Sequence, residues 1–427
     1  MKILFVYPNI TYQRSPQVGV SYLLPLLSKH QVMLFDVSAC DFTEYKTGEK
    51  FVECFKQFKP DLVLISCRSN EWGYVKKLLT YAYPTPTLVG GIHATINTEE
   101  VLSHATMAMR GESEEALKEF IEKFENGQDY TKVQNLWVKH RGKITKNEVR
   151  NLIPDLDTLP IPLWQAFNKI HYRESYVKDL FKEINCVGTF ETSRGCPYSC
   201  TYCCSEYLHG LYKGKGTYHR RKSPKRVVEE VRLFKEIYPD CNFVYFIDDT
   251  FMVNEKWLEE FAGIYDKTPF VFMTRPEMVN EHKMKLIAEM GGKGVSIGIE
   301  NGNENFRRTV LNRTMSNEQI IQAFRTAKDF GLHTYSFNMV GLPYETRDDI
   351  QSTIDLNKQI QPDIAQFTTF FPFKGTKLFD ICEKERYLKG EYPESFNYYQ
   401  KSCLKLPNFE EGEIEEWTKK AEALFQK

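Results

Sequence analysis

Short, continuously apolar runs, each followed by a helix-length amphipathic stretch, recur from the third residue onward. ILFVY (3–7), VMLFDV (32–37), DLVLIS (61–66), TLVGG (87–91) and MAMRGE (107–112) are apolar without alternation. That pattern predicts strands buried on both faces, as in a parallel sheet covered by helices. EWGYVKKLLTYA (71–82) and SEEALKEFIEKF (113–124) carry the helical period, the second with Ser113 as N-cap and Glu114 as partner of the helix dipole. Strand and helix in alternation predict a doubly wound sheet, with ligands bound at the carboxyl ends of the strands. Small or polar groups stand there: Pro8, Asn9, Ser66, Gly90, Gly91, His93, Gly111 and Glu112.

A hairpin turning at Arg141-Gly142 follows, and then DLDTLPIPLW (155–164), whose Pro160 and Pro162 favour an extended linker over a helix. From Cys186 the rhythm restarts with longer units. Strands are predicted at 187–193, 243–248, 269–274, 294–300, 334–341 and 364–371, separated by helices such as SPKRVVEEVRLFKEI and TRDDIQSTIDLNKQI. Six such units predict a barrel or partial barrel with its site at the C-terminal strand ends. The last fifty or so residues are polar and aromatic and end in the amphipathic EEWTKKAEALFQ.

Composition narrows the function classes. With 56 Lys+Arg against 57 Asp+Glu in 427 residues, the overall balance gives no sign of the basic surface of a nucleic-acid binder, and no nucleic-acid partner is expected. The apolar run before Pro8 is too short for a secretory signal, and no stretch approaches a membrane span, so a cytoplasmic location is expected. Eleven cysteines are present, four of them between positions 196 and 204. Such clustering points to metal or redox chemistry rather than a disulfide framework.

The cluster reads TSRGCPYSCTYCC, with Cys196, Cys200 and Cys203 in C-x-x-x-C-x-x-C spacing directly after a strand. Structural zinc prefers four ligands, and here only Cys204 or His209 stands near enough in sequence to complete a set. Three thiolates on a four-iron cluster instead leave one iron without a protein ligand.

This motif, following the first strand of a barrel, resembles that of radical S-adenosylmethionine (SAM) enzymes, in particular the branch with an N-terminal cobalamin-binding-like domain. The resemblance covers about residues 1 to 375. It implies an α/β chain divided into a Rossmann-like domain (1–128), a hairpin and linker (129–185), a partial (β/α)6 barrel (186–375) and a short α-rich C-terminal extension (376–427). It further implies a 4Fe-4S cluster on the three cysteines, whose open iron chelates SAM for reductive cleavage to methionine and a 5′-deoxyadenosyl radical. By the same resemblance Tyr202, Asp248, Asp249, Glu300 and Gly341 contact SAM, the last in the motif NMVGLPYET. Gly19, Ser66, Gly90, Gly91 and Glu112 fall where the family holds cobalamin. The D-x-H-x-x-G motif that would supply a histidine to cobalt is absent. Arg275, at the third barrel strand's end, is a candidate for a substrate carboxylate or phosphate.

The implied activity is cobalamin-dependent methyl transfer to an unactivated carbon or a phosphorus centre. The substrate would be a small molecule or peptide, and a one-electron donor such as flavodoxin or ferredoxin would supply reducing power. A cobalamin-independent mutase, epimerase, cyclase or oxidoreductase is the alternative, and a non-catalytic iron–sulfur or zinc protein a third. The plainer roles stay open for single residues: a strand-end turn for Gly90-Gly91, barrel-rim capping or ion pairing for Asp248, Asp249 and Glu300, and loop packing for His93.

Overall fold

A computed structural model describes residues 1–10, 16–37, 44–179, 181, 183–393 and 401–425. Part of the first loop, 11–15, therefore lies outside the described residues, as does Cys40.

The N-terminal sheet is built from β1 (Lys2–Tyr7), β2 (Gln31–Asp36), β3 (Leu62–Ser66), β4 (Thr87–Gly90) and β5 (Met107–Met109), all parallel, in the order β2-β1-β3-β4-β5. The predicted hairpin is present as β6 (Leu136–His140) and β7 (Lys143–Thr145), turning at Arg141 and Gly142, both with positive φ. It does not hang between the domains. β6 adds antiparallel to β5 and extends the first sheet to seven strands. Leu136 and Val138 face the core from β6 and drive that docking, whereas β7 is fully exposed.

The fifth strand is shorter than its apolar run suggested. Arg110 and Gly111 leave the ladder, and Asn135 Nδ2 donates to the carbonyls of Arg110 and Glu112 to hold the turn. Ser113 occupies the N-cap position of the helix Glu114–Glu125 but does not cap it, because its hydroxyl donates back to the Gly111 carbonyl.

The second sheet contains β8 (Cys186–Phe190). A short ribbon of β9 (Ser193–Arg194) and β10 (Arg220–Arg221) follows, and then β11 (Cys241–Phe246), β12 (Phe270–Thr274), β13 (Gly292–Glu300), β14 (His333–Val340) and β15 (Ile364–Thr369). Six parallel strands in the order β15-β14-β13-β12-β11-β8 form an open half-barrel. Its helices start on side-chain caps: Ser223 accepts from Arg226 N, Asn254 from Trp257 N, Ser316 from Gln319 N and Thr346 from Asp349 N.

One apolar core joins the two sheets. Phe5, Tyr7, Leu64 and Met109 from the first continue through linker residues Trp164, Phe167 and Tyr172 to Phe190, Phe234 and Phe246 of the barrel. Trp164 stands edge-on to Phe234 with centroids 5.5 Å apart, and Tyr7 edge-on to Phe167 at 5.8 Å. The segment after Pro162 thus bolts the units together. Buried polar pairs reinforce the join: His171 Nε2 lies 2.6 Å from Asp36 Oδ2, and Lys222 Nζ lies 2.8 Å from Glu230 Oε2 with Tyr22 of the first domain alongside. The C-terminal helix Glu413–Phe425 covers the open edge beyond β15, with Phe425 stacked on Phe367. No helix of the described residues is long and apolar enough to cross a membrane.

Candidate active site

The chain leaves β9 at Arg194 and turns through Gly195 into the cysteine loop, closed on its far side by the helix Ser205–Leu211. Cys200 is buried, and Cys196 and Cys203 are partly exposed. His209, which the spacing allowed as a fourth ligand, braces this loop instead. Its Nε2 lies 2.7 Å from the Cys196 carbonyl oxygen and its Nδ1 3.3 Å from Ser199 Oγ.

A single zinc with bonds of about 2.3 Å would require ligand sulfurs about 3.8 Å apart. The three cysteine sulfurs do not gather that closely. Among the described residues, the group of His, Cys, Asp or Glu ligand atoms all within 4.8 Å of one another is Glu255, Glu259 and His282 on the outer surface. A wider inorganic core fits the triplet better than one ion.

Two guanidinium groups stand over the buried thiol. Arg275 Nη1 lies 3.1 Å from Cys200 Sγ, and Arg313 Nη1 lies 3.8 Å from it and 3.2 Å from Tyr202 OH. Positive charge so placed balances an anionic iron–sulfur core. Arg275, the candidate for a substrate anion, stands against Cys200 and Glu277 in this geometry. It is 6% exposed, stacked 3.7 Å from the Tyr198 ring centroid and paired with Glu277 at 2.6 Å, so its charge is already engaged.

The other barrel candidates divide into braces and open groups. Asp248 is 2% exposed and accepts from Thr192 N and Thr192 Oγ1 at 3.1 and 2.8 Å, and from Ser193 Oγ. It ties β11 to β9, and its oxygens are occupied. Asp249, next in sequence, opens into the cleft between the sheets. Surrounding protein, with Asp248 and Glu191 adding negative charge, pushes its carboxyl up to about 6.

Glu300 ends β13 with a left-handed φ of 72° that turns its carboxylate toward Arg313, 3.9 Å away, and Tyr202. Gly341 has φ 85°, and a Cβ there would lie 2.7 Å from Ile414 of the C-terminal helix, so only glycine fits. Its N–H donates to Glu345 Oε2 at 2.6 Å, as does Leu342 N at 3.1 Å. Burial lifts Glu345 to about 8.

Facing the cysteine loop are the strand ends of the first sheet. A cavity of about 370 Å³ lies between them, lined by Gly19, Ser66, Gly91 and Glu112 on one side and by Gly195, Tyr218, Asp248 and Asp249 on the other. Gly90 sits one residue behind this lining. Gly91 has φ 91°, and a Cβ there would meet the Cys67 carbonyl oxygen at 2.7 Å, so close strand packing alone requires it. A Cβ on Gly19 would meet nothing within 4 Å.

Glu112, on the cavity lining, also carries an ion pair. Arg220 holds both of its carboxylate oxygens, making it an interdomain ion pair. Among the described residues, no histidine lines this cavity. His93 is 4% exposed, stacked on Trp72 at 4.7 Å and lowered to about 4 by burial, a loop-packing residue. Small residues and open space on this wall would suit a bulky cofactor approached by backbone. A larger cavity, about 1120 Å³, lies beyond Glu112 and Glu114 against the linker and holds none of the cysteine or barrel candidates.

Sequence reasoning missed Arg313 and Arg194. Arg313 lies in a loop after β13 without a periodic signal. Arg194 was visible in TSRGC but carried no assigned role; it pairs with Glu114 at 2.7 Å across the domain boundary and with Glu191 at 2.9 Å within the barrel.

Known proteins share this arrangement. The model of the radical SAM superfamily matches residues 190–356 and that of the B12 binding domain residues 11–121, together about two thirds of the chain. An uncharacterized methyltransferase of Pyrococcus horikoshii is 27% identical over 401 residues, covering 90% of this chain and 83% of that protein. The anaerobic magnesium-protoporphyrin IX monomethyl ester cyclase of Cereibacter sphaeroides is 25% identical over 405 residues, covering 89% of this chain and 63% of that protein. Among solved structures, the radical S-adenosylmethionine methyltransferase TsrM from Kitasatospora setae, with cobalamin and a 4Fe-4S cluster bound, superposes with a TM-score of 0.70. The sequence identity is 16%, and the match covers 91% of this chain and 76% of that one. The chain belongs to the radical SAM superfamily, with a B12-binding domain ahead of its half-barrel.

Proposed function

We propose that the protein is a cobalamin-dependent radical SAM methyltransferase acting at an unactivated carbon. One observation carries this reading: Gly195 at the head of the three-cysteine loop, Asp248 and Asp249 share a single cleft with the small-residue strand ends of the B12-binding domain. When bound, the reduced cluster supplies the electron that splits SAM, and cobalamin supplies a carrier for the methyl group.

The protein's own residues have these parts. Cys196, Cys200 and Cys203 would hold the cluster, and Arg275 and Arg313 place positive charge beside Cys200. Asp249 is the carboxylate open to receive the ammonium of SAM, and that cation draws its pKa down from about 6. Glu300 and Tyr202 line the SAM side, fixed by Arg313. The Gly341 turn, locked by Glu345, presents backbone to the adenine side. Gly19, Ser66 and the Gly90-Gly91 turn form the cobalamin wall.

We further propose a flavodoxin or ferredoxin as the electron donor and the reducing cytoplasm as the location. Nine of the described cysteines, Cys54 aside, are free thiols, as a reducing compartment would keep them. The relative that is a cyclase favours a second reading, radical chemistry without net methyl transfer.

Anaerobic turnover of SAM separates the two. Methyl transfer yields S-adenosylhomocysteine together with 5′-deoxyadenosine, and the second reading yields 5′-deoxyadenosine alone. In Cys200→Ala, SAM cleavage should drop to the protein-free background; cleavage at the wild-type rate would overturn the site.

A further inference from the structure

Resting on that reading of the barrel, we infer that the substrate is an uncharged, ring-bearing apolar molecule, held in a cup on the inner face of the half-barrel beneath the cysteine loop. Strand register defines this face. Tyr245 pairs with Val271, Met273 with Ser296, Ser296 with Tyr335 and Phe337 with Gln366. The alternate positions point the other way. Val244, Phe246, Phe272, Val295 and Ile297 belong to the core under the helices, and Ser336 and Asn338 bond to Asn357 of the helix Arg347–Ile360.

Those outward residues are fully buried. Tyr245, Met273, Ser296, Tyr335, Phe337 and Gln366 on the inner face all keep partial solvent access, so side chains do not fill the barrel. The cup has a floor. Phe181 of the linker lies 5.3 Å from Phe243 and 5.7 Å from His333, centroid to centroid, and packs with Val177 and Val271. Cys200, Arg275 and Glu300 form its rim.

Charge decides what the cup accepts. Between floor and rim, the inner face of β11 to β15 carries no charged side chain. At the rim, Arg275 is held by Cys200 and Glu277, and Glu300 by Arg313 and Tyr202. The charged group whose field reaches Tyr335 is Glu422, an acid on the C-terminal helix. A phosphate, sulfonate or carboxylate entering here would lose its water without gaining a cation from the described residues of the cup, which is strongly unfavourable.

Three aromatic rings and the Met273 thioether instead offer flat apolar contact. Tyr335 OH donates to Gln366 Oε1 at 2.9 Å, which orients the Gln366 amide nitrogen to donate to a carbonyl, ether or hydroxyl oxygen.

Nile red, a neutral planar dye, tests this by fluorescence titration of the anaerobically reconstituted protein. It should bind at one site per chain, roughly tenfold more tightly than the anionic 8-anilinonaphthalene-1-sulfonate. Ser296→Phe fills the cup without adding charge and should weaken Nile red about tenfold. Met273→Trp, filling it from the next strand, should act in the same direction. Sulfonate binding as tight as that of Nile red, or Nile red affinity unmoved in a folded filling variant, would overturn the inference. SAM cleavage measured on the same preparation keeps the two readings apart. Cleavage without the dye preference overturns the substrate class alone, and the dye preference without cleavage overturns the SAM reading alone.

Discussion

The two walls of the cleft are built on opposite plans. On the barrel side, polar groups at the strand ends are already joined to one another: Asp248 to Thr192 and Ser193, Arg275 to Cys200 and Glu277, and Arg313 to Tyr202 and Glu300. On the first sheet, the corresponding ends carry Gly19, Ser66, Gly90 and Gly91, and the helices after them start at Gln17, Gly91 and Ser113 without a side-chain cap. A compact anionic core needs charge fixed around it before it arrives, because reorganising dipoles in a buried site is costly. A large, mostly amide-decorated ring needs clearance and backbone, which glycines provide.

The sharpest way to break this contrast is at Arg313. Arg313→Met leaves Glu300 facing Tyr202 without its cation, and we expect a loss of about 2 kcal/mol in urea unfolding of the metal-free protein. Iron retained after reconstitution should fall as well. An unchanged midpoint and full iron content would show that the barrel wall is not a prearranged charge frame.

On the other wall the paired changes Gly91→Ala and Gly19→Ala separate packing from clearance. The first forces a Cβ onto the Cys67 carbonyl at positive φ and should cost about 1 to 3 kcal/mol. Gly19→Ala meets nothing and lies in a helix, so the empty protein should hold or gain about 0.5 kcal/mol. Cobalamin affinity, read from corrinoid absorbance, should nevertheless fall in Gly19→Ala; equal affinity would remove Gly19 from the cofactor wall.

The smallest expected effect concerns pH. Glu345 is lifted to about 8 in the folded chain, which therefore keeps a proton that the unfolded chain releases near the ordinary carboxyl value of 4.5. Its contribution to stability is full below about pH 4.5 and is lost as pH climbs through about 8. The urea midpoint of the wild type should slope downward across that window, and Glu345→Gln should flatten the slope.

Much of this was legible in the chain. Unbroken apolar runs specify strands buried on both faces wherever they sit, so both parallel sheets followed from local pattern. TSRGC-x-x-x-C-x-x-C is a contiguous loop whose ligand spacing is intrinsic to the sequence. Local signals failed where a partner comes from far away. Asp248 and Asp249 are adjacent and chemically identical, yet one is fully bonded and the other open, because β9 returns beside the first only. Arg275 read as a free cation until Cys200 and Tyr198 were brought against it. Glu112 read as a ligand contact until Arg220, more than a hundred residues away, claimed it.

By itself, then, the sequence determined the two α/β units, their order and the thiolate loop, since each rests on contacts within a few dozen residues. Only the tertiary structure decided which charges remain available and what the half-barrel can hold. Those depend on pairings between segments from 56 to 113 residues apart, where burial makes each neighbour's charge count far more than it would in water.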